Sequence, residues 1–91
     1  MRIDRYLQSD ARTPRADSAA SAAVAALTER EVEVLLLVAK ELANNEIATE
    51  LFISPHTAKT HVNRIIVKTH CHDRAQLVTL AYESGLLAPG E

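Results

Sequence analysis

Tryptophan is absent from this chain of 91 residues, and its aromatic side chains are Tyr6, Phe52 and Tyr82. Hydrophobic residues still make up 47% of the sequence, so a core must be aliphatic and mostly small. One cysteine, Cys71, leaves no internal disulfide and suits a reducing compartment. No apolar run approaches the ~20 residues of a membrane span. The N-terminus does not read as a signal peptide: Asp4, Asp10 and Asp17 interrupt it, and the Ala-rich run at 18–26 is weakly apolar. A cytoplasmic protein is expected. Catalytic sets are missing too, since no nucleophile–histidine–acid group, phosphate loop or metal pair has usable spacing. His70-Cys71-His72 stand too close together for a metal site, and no second pair lies at finger-like spacing. No enzyme activity, cofactor or metal is expected.

The most informative absence is local. Residues 51–72 contain no acid, yet hold Lys59, Arg64, Lys68 and all four histidines. Residues 26–50 carry Glu29, Glu31, Glu33, Glu41, Glu46 and Glu50 against Arg30 and Lys40. A net charge of −2 does not announce nucleic acid, but this distribution allows one positive surface on a mildly acidic protein.

The length suits one small domain. Residues 1–26, with eight alanines, three serines and a proline, read as a mobile tail or linker without a fixed tertiary role. The domain is expected over 27–88. Thr28-Glu29-Arg30-Glu31 is a capping box, with Leu27 and Val32 as its hydrophobic staple. Val32, Leu35, Leu36 and Ala39 then recur at helical spacing, which predicts a first helix over 28–41. A second is predicted over 44–51, with Ile47, Ala48 and Leu51 inward and an Asn as cap. Phe52-Ile53-Ser54 reads as a tight turn into a third helix over 55–69, with Ser54 as cap and Pro55 at its first position. A fourth is predicted over 73–84, opened by Asp73-Arg74-Ala75-Gln76 and closed by Gly85. The fold class is all-α, a four-helix arrangement containing a helix-turn-helix.

On the third helix Ala58, Val62, Ile65, Ile66 and Thr69 line one side, and His56, Lys59, Thr60, Asn63 and Val67 the other. The outer face has amide, hydroxyl, imidazole and ammonium groups and no carboxylate. Such a face can read base edges in a major groove, or it can be an ordinary solvated surface.

The chain contains Leu27-Thr28-Glu29-Arg30-Glu31-Val32-Glu33-Val34-Leu35, Asn44-Asn45-Glu46-Ile47-Ala48, Leu51-Phe52-Ile53-Ser54 and Thr57-Ala58-Lys59-Thr60-His61-Val62 in that order. Together these motifs resemble the LuxR-type (GerE- or FixJ/NarL-type) DNA-binding domain. Asp73-Arg74-Ala75-Gln76 and Tyr82-Glu83-Ser84-Gly85-Leu86 continue the likeness, which covers about 27–87 in order and without gaps. It implies a regulator of transcription that places its third helix in the major groove of double-stranded DNA. His56, Lys59, Thr60 and Asn63 fall at base-reading positions. Asn45, Thr57, His61, Arg64 and Lys68 are the phosphate candidates, with plain solvated side chains as the alternative for His61, Arg64 and Lys68. The resemblance also implies a homodimer paired through the fourth helix, and brings in RNA polymerase as a further partner. The Leu77, Leu80 and Ala81 face is either that dimer seam or core under the tail. In the family this domain is usually the output half of a protein with a receiver or ligand-sensing domain. A helical module that binds a protein partner instead of DNA is the rival reading.

Some positions depart from the family pattern. Glu41 stands where glycine is usual and would be strained there or would end the first helix differently. Ala43 replaces a capping Ser or Thr, which moves the cap to Asn44. Ala58 is smaller than the usual Val, and Thr69-His70 alters the end of the third helix.

Overall fold

The computed structural model describes residues 18–87, all of whose regular structure is helical. Five helices follow in order: α1 (Ser18–Ala25), α2 (Glu29–Ala39), α3 (Asn44–Leu51), α4 (Pro55–Thr69) and α5 (Arg74–Glu83). The four expected helices are α2 to α5. The helix α1 is additional, and falls where a tail without tertiary role was expected. The expectations for residues 1–17 and for the C-terminal residues 88–91 lie outside the described residues.

Helix α2 packs against α3, α4 and α5. It begins as the capping box requires. The Thr28 hydroxyl accepts from the Glu31 N–H at 3.1 Å, and Glu31 Oε1 accepts from the Thr28 N–H at 2.9 Å. Leu35, Ile47, Ile65, Leu77, Val34 and Val38 are the largest fully buried side chains, drawn from α2, α3, α4 and α5. One continuous aliphatic cluster therefore ties the helices together, without an aromatic among its fully buried members.

Helix ends show where this chain departs from ideal chemistry. Glu41, at φ 67°, adopts the left-handed conformation that glycine would take more easily. The Leu42 N–H bonds to Leu37 O at 3.1 Å and that of Glu41 to Val38 O at 2.8 Å, the paired bonds of a Schellman ending. So α2 ends as a glycine would end it, and Glu41 bears the strain. Phe52 (φ 58°) and His70 (φ 60°) end α3 and α4 in the same conformation. The His70 ending keeps α4 intact to Thr69.

The cap of α3 differs from the expectation. Ala43, not Asn44, is the N-cap residue and has no side-chain acceptor. Glu46 Oε1 accepts from the Ala43 N–H at 2.7 Å, one arm of a capping box standing alone. Asn44 is instead held by Arg74, whose Nη1 donates to Asn44 Oδ1 at 2.8 Å.

Helix α1 packs against α5 and α4, with Ala20 buried and the Ser21 hydroxyl donating to Ser84 O at 3.4 Å. Alanine favours the helix, and its short side chain allows a close approach. After Gly85 turns the chain at φ 80°, the Leu87 N–H bonds to Ala81 O at 3.1 Å and Leu87 enters the core.

Candidate nucleic-acid interface

Helix α4 owes its position to its two ends and its inner face. At the start, Ser54 Oγ accepts from the Thr57 N–H at 3.0 Å. The Ser54 hydroxyl also donates to Thr57 Oγ1 at 2.9 Å. That leaves the Thr57 hydroxyl proton unused in this pair and available to an acceptor outside the helix. Ala58, Val62 and Ile65 are buried on the inner face, and α3 packs alongside.

Helix α4 presents His56, Lys59, Asn63 and Arg64 as exposed side chains. Within the described residues, none of them has a side-chain hydrogen bond or ion pair. The face expected to read bases is therefore uncommitted to the fold. Thr60 is half-buried and partly committed, since its hydroxyl donates to His56 O at 3.1 Å, one turn back. Asn45 is exposed on α3. His61 is half-buried, with Nδ1 enclosed and unpartnered, so its remaining ring edge is what it can offer a ligand.

Lys68 is the expected phosphate residue that the fold claims for itself. Its Nζ lies 2.8 Å from Glu31 Oε1, the same oxygen that accepts from Thr28. Glu31 is the one buried charged residue among those described, 4% exposed. Burial alone would raise its carboxyl pKa. The hydrogen bond from Lys68, those with Thr28 and the Lys68 charge outweigh that and hold it below the ordinary value of 4.5. This pairing closes the C-terminal end of α4 onto the first turn of α2, and it engages the charge that Lys68 would otherwise leave unpaired.

Leu77, Leu80 and Ala81 are not at an accessible seam. They are 0%, 7% and 0% exposed and belong to the core with Ala20 and Leu87. The physical reason is that α5 has neighbours in α1, α2 and α4, so its most apolar side is consumed by packing within the chain. Their alternative reading, core under the preceding segment, is the one realised.

The residue that sequence reasoning missed is Arg74. Besides Asn44, it donates through Nη2 to Leu42 O, clamping the α2–α3 connection to the start of α5. A signal was present: a cation in the first turn of a helix opposes the helix dipole unless a specific acceptor holds it. At the start of α5, Asp73 and Gln76 have the spacing of a capping box, and half of it forms. Asp73 Oδ1 accepts from the Gln76 N–H at 3.0 Å, but Gln76 Oε1 accepts from the His72 N–H at 2.6 Å. No group of three or more His, Cys, Asp or Glu side chains is arranged to hold a metal among the described residues. No helix in them is long and apolar enough to cross a membrane.

Comparison with known proteins agrees with the fold. Residues 25–81 match the family described as bacterial regulatory proteins, luxR family. The chain is similar to the response regulator protein VraR of Staphylococcus aureus (strain NCTC 8325 / PS 47), 48% identical over 61 residues. The proteins of the same name in Staphylococcus saprophyticus and Staphylococcus epidermidis share the same identity over the same length. The matched stretch is 67% of this chain and 29% of each relative. With the family's pattern covering α2 to α4 and most of α5, this chain belongs to the luxR family of bacterial regulatory proteins.

Proposed function

We propose that this chain binds double-stranded DNA sequence-specifically through α4 and regulates transcription as the output domain of a response regulator. The observation that carries the reading is the outer side of α4. His56, Lys59, Asn63 and Arg64 are exposed there without an intramolecular partner among the described residues, on a stretch free of carboxylates. Lys59 and Asn63 lie one turn apart, able to reach a guanine edge or phosphate and an adenine edge respectively. Asn45, Thr57, His61 and Arg64 take phosphate contacts, and Lys68 contributes less because of Glu31.

The test is a DNA titration at several salt concentrations on wild type, Lys59→Ala and Asn63→Ala. Lys59→Ala weakens binding on every sequence and lowers the salt slope by about one unit if it holds phosphate. Asn63→Ala costs about 1–3 kcal/mol at one position of the site and leaves the slope alone. Unchanged binding in both variants removes the support for α4 as the reading element. A salt-independent response to random duplex favours the protein-interaction module instead.

The same proposal includes a weak homodimer strengthened by DNA, relocated on α5. With Leu77, Leu80 and Ala81 enclosed, the apolar groups α5 still presents are Ala75, Val78 and Tyr82. Ala75 and Val78 border a shallow concavity of about 510 Å³ with Val38, Glu41 and Arg74. Sedimentation of Val78→Glu with DNA tests it: loss of the two-copy complex with folding retained is expected, and unchanged stoichiometry overturns this seam.

A further inference from the structure

Two large hydrophobic side chains stand exposed among the described residues, Phe52 at 95% and Val67 at 73%. Val67 is the informative one, because it sits among polar groups with nothing apolar to cover it. It lines a shallow depression of about 470 Å³ with Thr60, Asn63, Arg64 and Lys68. It also continues the Lys59–Asn63 row, since positions 59, 63 and 67 are spaced four apart on one side of α4.

The geometry of that row suits a groove. At 1.5 Å rise per residue, Val67 lies about 6 Å beyond Asn63 and about 12 Å beyond Lys59 along the helix. The major groove is ~12 Å wide, and base pairs are spaced ~3.4 Å apart. The side chain is well held. A β-branched residue in a helix keeps one dominant rotamer, and the Val67 carbonyl accepts from the His70 N–H at 3.3 Å in the helix-ending turn. Two methyl groups are thus presented rigidly from a face otherwise made of donors and acceptors. Among the donors and acceptors of the major-groove edges, the C5-methyl of thymine is the projecting apolar group.

We propose that Val67 reads the C5-methyl group of a thymine, about two base-pair steps from the base read by Asn63. The inference rests on the DNA-binding reading above and adds a specificity-determining residue of apolar chemistry to it. Removing the contact exposes about one methyl group's worth of apolar surface, which corresponds to roughly a fourfold loss of affinity.

The experiment separates the two readings. A duplex bound by wild type is first selected from random sequence, and each thymine is then replaced singly by deoxyuridine, which deletes the methyl alone. Wild type is expected to lose about fourfold at one thymine. Val67→Ala is expected to bind the thymine and deoxyuridine duplexes alike there, with an unchanged melting temperature because the side chain is solvent-exposed. Asn63→Ala, the control, should keep the deoxyuridine response while losing its own base preference. A wild type without any deoxyuridine response that Val67→Ala abolishes overturns the proposal. So does a Val67→Ala loss that is equal on both duplexes, which would place the side chain against deoxyribose. Failure to select any duplex at all overturns the DNA-binding reading itself, and this inference with it.

Discussion

Helices α4 and α5 begin alike and are put to different uses. Each opens on a side-chain cap, Ser54 for α4 and Asp73 for α5, and each carries residues expected at an interface. On α4 those residues are polar, and His56, Lys59 and Asn63 remain exposed. On α5 they are apolar, and Leu77, Leu80 and Ala81 have gone into the core. The difference lies in the chemistry of the groups. An amide or ammonium cannot enter an aliphatic core without a partner at less than about 1–3 kcal/mol, so a polar face stays outside wherever the helix packs. A leucine suits a core and a protein interface equally well. Sequence can therefore identify an exposed polar face with more security than an apolar seam.

The sharpest way to break this comparison is to truncate one residue from each face. Leu77→Ala should lose about 2–5 kcal/mol of stability in chemical denaturation, as a cavity in a packed core does, while Lys59→Ala should lose none. A stable Leu77→Ala that fails only to self-associate would return Leu77 to the interface.

A smaller effect is expected at the joint between α2 and α4. Glu31→Gln removes the charge that holds Lys68 and should cost about 1–2 kcal/mol near neutral pH. Because the Glu31 carboxyl is held below 4.5 in the folded chain, its contribution is present above that value and fades as acid protonates it. Thermal melts of both proteins should therefore converge as pH falls through the region below 4.5. A gap that persists in acid would mean that Glu31 acts through shape rather than charge.

The smallest effect sharpens the account of the helix ends. Glu41→Gly should stabilise by about 0.5–1 kcal/mol, since glycine relieves the left-handed strain at φ 67° but gives back part of the gain through a more flexible unfolded chain. Urea midpoints measure it. A loss of stability would show that Glu41 makes a compensating contact.

Much of this architecture was legible because helix caps are local. Ser54-Pro55 marked the start of α4, which spans the predicted 55–69; α3 spans the predicted 44–51 although Ala43 and not an Asn is its N-cap. The capping box at Thr28 formed with both its bonds. The polar face of α4 was legible from periodicity alone. What escaped were partnerships across the chain. Glu31 and Lys68 are 37 residues apart, and Arg74 reaches Asn44 across 30. The Ala-rich segment escaped for a related reason: its composition allows a helix, but only the surface of α5 and α4 turns it into α1 with Ala20 buried.

The amino-acid sequence by itself determined which segments are helical, where most of them start, and which face of α4 must meet water or a polar partner. Those outcomes depend on groups within one or two turns of each other, and on the cost of burying polar atoms. Tertiary structure alone decided that Lys68 pairs with Glu31 and that Leu77, Leu80 and Ala81 are core. Each of those depends on which surfaces meet across distant segments, and side chains of the same hydrophobicity or charge can satisfy several such meetings equally well.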